Sequence, residues 1–231
     1  MSRTRFAADG KGGLSRHVPL RTAAHTALLV IDVQQYCTIP GDGEFPDVDP
    51  DNIPEKHRYY FERIATKVLP NIARLQAACR GAGAEVIYTV IEAATPDMRD
   101  LSLDYKISGI GVPKGSPWAQ LPPEIPATPD EIVIPKTSSS VFMSTNIDYV
   151  LRNLEIEQLI CCGLLTDQCV ESAVRDACDL GYLVTVPEDA CGTHTQERHE
   201  RSLDFYKGYC RIVPTEKVVA ELQGLSRQAA E

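Results

Sequence analysis

The sequence predicts a three-layer α/β/α domain around a mainly parallel, Rossmann-like sheet of about six strands. Two observations support this α/β fold class. Short apolar runs rich in β-branched residues alternate along the chain with segments of helical periodicity, as in parallel sheets covered by helices on both faces. The first run, residues 25–32, is apolar almost throughout, which is typical of a strand buried on both faces of its sheet.

Size and composition place the chain among single-domain globular proteins. Its 231 residues suit one α/β domain, with 43% hydrophobic and 24% charged residues. The net charge of −9 disfavours nucleic-acid binding, and no apolar run approaches the roughly 18 residues of a membrane helix. Residues 1–22 are polar and basic, without the apolar core of a secretory signal. We predict a cytoplasmic protein with a flexible arm at 1–22, one domain at 23–231, and neither nucleic acid nor membrane as a partner.

Six apolar runs predict the strands in chain order. Each is bounded by glycine, by proline or by a segment of helical periodicity. The second run is followed by Glu92, and the third by Pro135 and Lys136. The predicted strands cover residues 25–32, 84–91, 131–134, 158–162, 182–186 and 209–213.

Helices are predicted between these strands. Phe61, Ile64 and Val68 belong to the apolar stripe of a helix over 56–80, which Pro70 is expected to kink. The last helix is predicted to be capped by Thr215. The other predicted helices cover residues 145–153, 167–181, 196–208 and 215–222.

Two long irregular segments interrupt this alternation. Residues 33–55 contain four prolines, and a loop of this length in a domain usually carries function or covers a site. Residues 93–129 are predicted to form a lid or specificity region, with a plain surface excursion as the alternative. Lys106, Lys114 and Arg99 are candidates to hold a substrate carboxylate, and the sequence does not choose among them.

Three chemically useful side chains follow predicted strands. Asp32 ends the first strand, Lys136 follows the third and Cys169 follows the fourth. The carboxyl ends of parallel strands share the sheet edge at which α/β proteins bind ligands, so the three side chains can meet. A carboxylate can deprotonate a thiol, and a nearby ammonium stabilises the thiolate. Taken singly, Asp32 also fits a turn cap and Lys136 a solvated surface residue.

Cys169 lies in the first turn of a predicted helix. Thr166 is predicted as the N-cap and Asp167 as an acid in the first turn, where free amides and the positive end of the dipole need partners. The same field is expected to lower the pKa of the Cys169 thiol from about 8.5. Core packing is the alternative, because free cysteines are often buried.

The other cysteines point away from disulfides and metals. The chain has eight cysteines, mostly within apolar stretches, and no CxxC pair. Reduced thiols are therefore expected. Cys161 and Cys162 cannot bind one metal together, because successive strand residues face opposite sides. We predict no structural metal.

Several of these segments together resemble the cysteine hydrolases of the isochorismatase-like superfamily. The segments are 29–34, 134–136, 163–170, 175–177 and 188–190, and the similarity spans roughly residues 26–222. The resemblance implies Asp32 as general base, Lys136 as the charge that activates the thiol, and Cys169 as nucleophile.

Further expectations follow from the same resemblance. It implies a non-proline cis peptide at Leu164–Leu165 and an oxyanion hole formed by the amides of Leu165 and Cys169. It also implies a homo-oligomer, dimer or tetramer, without a cofactor. Nicotinamidases of the superfamily bind a metal through an Asp and two His, but no histidine lies between His57 and His194. No metal site is therefore expected.

The predicted function is cysteine-dependent hydrolysis of a C–N bond in a small amide, ureido or carbamoyl compound through a thioester, releasing ammonia or an amine. Isochorismatases resemble the pattern but lack the nucleophile, and the chain is more similar to ureidoacrylate, biuret and N-carbamoyl amide hydrolases. Gln34 and Glu92 are predicted to face the pocket and bind an NH₂ or ureido group. Glu92 equally fits a solvated or lysine-paired acid.

Three other functions compete with hydrolysis. The first is a non-catalytic scaffold or small-molecule binder of the same fold. A dinucleotide-dependent oxidoreductase is disfavoured, because Gly81 and Gly83 precede a strand and do not join a strand to a helix. A thiol redox protein is disfavoured because no second cysteine lies near Cys169 in sequence.

Overall fold

The computed structural model describes residues 15–230, which form a seven-stranded parallel sheet flanked by helices. Its strands are β1 (Thr26–Ile31), β2 (Glu85–Ile91), β3 (Ile132–Lys136), β4 (Gln158–Leu164), β5 (Leu183–Pro187), β6 (Cys191–Gly192) and β7 (Arg211–Val213). The strand order is β3-β2-β1-β4-β5-β7, and β6 pairs with β4 beyond the end of β5. This architecture confirms the predicted fold class.

The helices cover both faces of the sheet. They are α1 (Gln35–Thr38), α2 (Glu55–Arg63), α3 (Leu69–Ala82), α4 (Leu103–Ser108), α5 (Val141–Ser144), α6 (Ile147–Asn153), α7 (Glu171–Asp179), α8 (Gln196–Tyr206) and α9 (Thr215–Ala230). Helix α3 packs on β1, β2 and α9, whereas α7 packs on β5, α5 and α8. Within residues 15–230, no helix combines the length and apolarity needed to cross a lipid bilayer.

The central strand β1 sets the position of the site. All six of its residues are buried, and it lies between β2 and β4. Its last residue, Ile31, pairs with Thr89 and Gly163, and Ile91 at the end of β2 pairs with Lys136. The carboxyl ends of β1, β3 and β4 therefore lie on the same edge of the sheet.

Several predicted elements differ from those observed. Strand β6 was not predicted, because two residues carry no periodicity. The last helix extends to Ala230 and has Thr215 as its first residue, so Thr215 does not occupy the cap position before it; its hydroxyl donates to Asp189 Oδ1 at 2.7 Å. A π-type turn over Ile64–Val68 interrupts the long predicted helix just before Pro70. Such turns are a known way for a helix to accommodate an interruption of its hydrogen bonds.

The last residues of the predicted flexible arm at 1–22 pack against the domain. Residues 1–14 lie outside the described part of the chain. The Leu20 amide donates to Glu221 Oε2 at 3.1 Å, and the Arg21 amide donates to Gln158 Oε1 at 2.7 Å. Leu20 is also buried. The segment from Pro19 onward is thus held against β4 and α9.

Gly163 allows β1 and β4 to approach each other beside the site. Its φ is +122°, and a Cβ atom there would lie 2.1 Å from the carbonyl oxygen of Ile31. We expect Gly163→Ala to lower the free energy of unfolding by about 3 kcal/mol or more, because both the backbone angle and the contact are forbidden. Urea denaturation of the variant measures this loss.

Gly81→Ala is the matched control for that substitution. Gly81 lies inside α3, and a Cβ atom there would meet nothing within 4 Å. Alanine should stabilise this helical position by about 0.5–1 kcal/mol. Equal, small effects of the two substitutions would contradict the close approach at Gly163.

Candidate active site

The structure brings together the three residues predicted at the strand ends. Lys136 Nζ lies 2.8 Å from Asp32 Oδ2 and donates to Cys169 Sγ at 3.5 Å. All three are buried, with exposed fractions of 1% for Asp32, 0% for Lys136 and 5% for Cys169. A carboxylate, an ammonium and a thiol thus share one site from which water is largely excluded.

The ammonium of Lys136 is surrounded by acceptors. Nζ donates to Tyr105 Oη at 2.8 Å and to the Ser138 carbonyl at 2.6 Å, in addition to Cys169 Sγ. These three hydrogen bonds use all the protons of the ammonium. Asp32 Oδ2, 2.8 Å from Nζ, shares these protons as a fourth acceptor and forms a buried ion pair with the ammonium. A buried carboxylate oxygen with a free lone pair is suited to accept a proton from the thiol.

Asp32 is held by the strand next to it. Its amide donates to the Thr89 carbonyl at 3.0 Å, and Thr89 Oγ1 donates to Asp32 Oδ1 at 2.8 Å. The backbone of Asp32 has a φ of +54°, in the left-handed region that aspartate tolerates better than most residues. One carboxylate oxygen is thus fixed by Thr89, and the other is directed at Lys136.

Tyr105 on α4 adds a second donor to the thiol and was not among the predicted site residues. Its hydroxyl accepts the proton of Lys136 Nζ, so its own proton is free to point to Cys169 Sγ at 3.5 Å. Burial raises the pKa of Tyr105, which keeps the phenol protonated. Sequence reasoning placed this residue only within a general lid region, because nothing local shows that α4 folds over the strand ends.

Cys169 lies on a π-type turn, Thr166–Val170, between β4 and α7. The peptide bond Leu164–Leu165 is cis, which confirms the expectation. The Leu165 carbonyl accepts from the amides of Gln168 at 3.0 Å and Val170 at 3.2 Å, on either side of Cys169. The predicted N-cap role of Thr166 is wrong: Leu165 occupies the cap position, and Thr166 is buried inside the turn.

The predicted lowering of the Cys169 pKa is also wrong. Burial, with the charge of Asp32 as the second cause, raises the pKa of this thiol to about 12, although Lys136 and Tyr105 act in the opposite direction. Loss of solvent around the thiolate is thus the main cause of the shift. Burial disfavours the charged form of Lys136, but its interactions with Asp32 and Cys169 outweigh that effect and leave its pKa raised. At neutral pH Cys169 is therefore a protonated thiol beside the charged ammonium of Lys136.

The thiol borders a narrow cleft whose volume accessible to water is about 30 Å³. The residues that line it are Asp32, Tyr36, Cys37, Glu44, Ile91, Tyr105, Ile110, Leu164, Leu165, Gln168 and Cys169. Two larger depressions on the described surface are lined by residues remote from this chemistry. The cleft beside Cys169 is therefore the candidate active site.

Gln34 and Glu92 are not among the residues that line the cleft. The Gln34 amide is fully buried and donates to the carbonyls of Ile91 and Trp118 at 3.0 Å each, while its Oε1 accepts from the Ile91 amide at 2.6 Å. Glu92 accepts from the Gly115 amide at 2.7 Å and borders a separate depression. Backbone donors and acceptors occupy both side chains, so the expectation that they face the pocket is not met.

The three predicted carboxylate-binding cations also lie elsewhere. Lys106 Nζ donates to the Arg99 carbonyl at 2.6 Å, and Arg99 pairs with Asp97 at 3.0 Å. Lys114 borders the same separate depression as Glu92. None of them lines the cleft beside Cys169.

A model of the Isochorismatase domain matches residues 26–217. The chain belongs to the isochorismatase family. This membership confirms the resemblance seen in the sequence and agrees with a buried cysteine at the carboxyl edge of a parallel sheet.

Relatives and solved structures agree with this membership. This isochorismatase-family chain is 30% identical to N-carbamoylsarcosine amidase from Arthrobacter over 68% of its own length and 62% of the relative. It is 30% identical to ureidoacrylate amidohydrolase RutB from Agrobacterium fabrum, over 72% of the chain and 75% of that protein. The chain thus spans less than two thirds of the first of these relatives. A crystal structure of an isochorismatase family protein from Desulfovibrio vulgaris superposes with a TM-score of 0.68 at 25% identity, covering 90% of this chain and 99% of that one.

A buried histidine supports the turn that carries Cys169 in this family member. Arg63 Nη2 lies 2.8 Å from His199 Nε2, and Thr166 Oγ1 lies 2.9 Å from His199 Nδ1. Because arginine only donates, Nε2 must accept and the proton resides on Nδ1, which donates to Thr166. Ser202 Oγ donates to the Thr166 carbonyl at 3.1 Å. The turn that carries Cys169 is thus held from α2 and α8.

Protonation of His199 is expected to destabilise the fold. Burial and the charge of Arg63 together lower the pKa of His199 to about 4, whereas an unfolded histidine has a pKa of about 6.5. The unfolded state therefore binds more protons between these values, so this group's contribution to stability falls as the pH drops from about 6.5 to about 4. Thermal melts across this range should show a steeper loss for wild type than for His199→Gln. Parallel curves for the two proteins would contradict the assignment.

Proposed function

We propose that this isochorismatase-family chain hydrolyses a C–N bond other than a peptide bond, in a small amide, ureido or carbamoyl compound, with Cys169 as nucleophile. One observation carries this proposal: the Asp32 carboxylate and the Lys136 ammonium, 2.8 Å apart, converge beside the Cys169 thiol at a buried cleft. The names of the two relatives, an N-carbamoylsarcosine amidase and a ureidoacrylate amidohydrolase, support the same reaction class.

The first half of the reaction forms a thioester. Because the thiol of the resting site is protonated, its proton passes to Asp32 Oδ2 as Cys169 Sγ attacks the carbonyl carbon. Lys136 and Tyr105 donate to the sulfur and stabilise its developing charge. The carbonyl oxygen becomes an oxyanion, which the amides of Leu165 and Cys169 would stabilise. Asp32 then returns the proton to the leaving nitrogen, the C–N bond breaks, and ammonia or an amine departs.

The second half regenerates the enzyme. Asp32 takes a proton from a water molecule, whose oxygen attacks the thioester carbon. The second tetrahedral intermediate collapses, the C–S bond breaks, and the proton returns from Asp32 to the sulfur. The product is the free acid or, from a ureido substrate, the carbamate. One carboxylate thus serves as base and acid in both halves.

Release of ammonia tests the proposal. Wild type, Cys169→Ala and Cys178→Ala are compared on a panel of small primary amides, ureides and carbamoyl compounds. Cys178 is a half-buried thiol outside the cleft, and its sulfur contacts the Tyr209 carbonyl. We expect turnover by wild type and Cys178→Ala and none by Cys169→Ala. Turnover by Cys169→Ala would exclude the nucleophile, and slow alkylation of Cys169 by iodoacetamide with no turnover would favour the non-catalytic binder.

A further inference from the structure

Glu44 is a carboxylate in the wall of the cleft that the proposed reaction does not use. It belongs to the long proline-containing segment between α1 and α2, twelve residues after Asp32 in sequence. Its backbone is fixed against α1, because the Glu44 amide donates to the Tyr36 carbonyl at 2.9 Å. Gly43 makes this approach possible: its φ is +57°, and a Cβ atom there would lie 2.3 Å from the same carbonyl oxygen.

The segment after Glu44 anchors it from the other side. Phe45 is buried, with its ring centroid 5.1 Å from that of Tyr60 and 4.9 Å from that of Phe61 on α2. The Tyr60 hydroxyl in turn donates to the Cys37 carbonyl at 2.9 Å. The carboxylate of Glu44 is therefore presented by a rigid backbone, as a recognition group must be.

The carboxylate of Glu44 lacks a cationic partner within residues 15–230. No salt bridge involves it there, and its side-chain neighbour is the buried thiol of Cys37. Burial raises the pKa of Glu44 to about 6, and the contact with Cys37 acts against that rise. The group is thus mostly ionised at neutral pH and accepts hydrogen bonds only.

The cleft around Glu44 offers no charge that could hold an anion. Asp32 and Glu44 are its two carboxylates, and no Lys, Arg or His is among the residues that line it in the described chain. The Lys136 ammonium is already paired with Asp32 and donates to Tyr105, Ser138 and Cys169. A substrate carboxylate in this cleft would be desolvated beside Glu44 without a compensating cation, which disfavours its binding.

We propose that Glu44 determines specificity in this cleft, which accepts neutral or cationic amides that donate an N–H to Glu44 and rejects amides that carry a carboxylate. The inference rests on the proposed hydrolysis for its substrate class. It also separates this chain from the two named relatives, because ureidoacrylate and N-carbamoylsarcosine are carboxylate compounds by their chemical names.

Binding to the Cys169→Ala protein tests the inference without requiring turnover. Three probes of similar size are titrated by calorimetry: succinamide, succinamate and β-alaninamide, whose distal groups are neutral, anionic and cationic. We expect succinamide and β-alaninamide to bind at least about tenfold more tightly than succinamate, which is a difference in binding free energy of about 1.4 kcal/mol.

Substitutions at Glu44 then show whether this residue causes the preference among the three probes. In the same background, Glu44→Gln should reduce the preference against succinamate to within about threefold, because the neutral glutamine side chain no longer repels an anion. It should also weaken the binding of β-alaninamide, because the side chain no longer attracts a cation. Glu44→Asp keeps the charge and should keep the preference. Glu62→Gln removes an exposed carboxylate of α2 outside the cleft and controls for net charge. Melting temperatures verify that each variant is folded.

Each outcome decides the inference. Tighter binding of succinamate than of succinamide, an unchanged preference in Glu44→Gln, or no binding of any probe would overturn it. Charge discrimination that depends on Glu44 supports it even where wild type releases no ammonia, and in that case the proposed hydrolysis alone fails.

Discussion

Asp32→Asn should abolish turnover and at the same time make the Cys169 thiol more acidic. The base and acid steps need the carboxylate, so we expect the rate of ammonia release to fall by about 10³-fold or more. Burial and the charge of Asp32 raise the pKa of Cys169 to about 12. With Asp32 neutral, the thiolate becomes the anion that balances Lys136, so its pKa should drop. Asparagine also tolerates the φ of +54° at this position.

The two opposite effects are measured on the same protein. Ammonia release gives the turnover, and the pH dependence of iodoacetamide labelling of the Cys169 peptide gives the thiol pKa. Asp47→Asn, which removes an exposed carboxylate outside the cleft, is the control and should change neither. Lost turnover with an unchanged or raised thiol pKa would indicate a merely structural Asp32, and retained turnover would exclude it as the base.

Lys136→Met should produce the largest loss of stability. The substitution removes a fully buried ammonium and leaves Asp32, also buried, without its counter-charge 2.8 Å away. Breaking a buried pair from one side costs about 3–5 kcal/mol, because the remaining charge is uncompensated. Urea denaturation should show this loss, whereas Lys217→Met on the exposed face of α9 should change stability by less than about 0.5 kcal/mol.

The double variant Lys136→Met with Asp32→Asn separates the charge effect from loss of packing. Removing both charges should recover a large part of the lost stability, because no ion is then left buried. It should not recover activity. Additive losses of stability from the two single substitutions would show that the residues do not interact, and would contradict the geometry of the site.

Much of the site was predictable because its residues occupy topologically defined places. Asp32, Lys136 and Cys169 each follow a parallel strand, and parallel strands direct their carboxyl ends to one edge of the sheet. No knowledge of side-chain contacts is needed for that step. Gln34 and Glu92 satisfy the same rule by sequence position, yet backbone groups of neighbouring segments occupy both side chains.

The pKa of Cys169 shows why local reasoning failed. Sequence position describes the dipole of the turn that carries the thiol, which favours the thiolate. Burial beneath α4 and the approach of Asp32 depend on distant segments, and together they act more strongly in the opposite direction. The same holds for Tyr105 and Glu44, which enter the cleft from two irregular segments.

The sequence by itself determined the α/β fold class, the order of the main strands, the family and the three residues at the strand ends. Periodicity and strand polarity are local properties, so they can be read along the chain. Only the tertiary structure decided which loop residues line the cleft, which amides are already hydrogen-bonded and how burial sets the ionisation of Cys169. Those properties depend on contacts between residues far apart in sequence, and desolvation has no local signature.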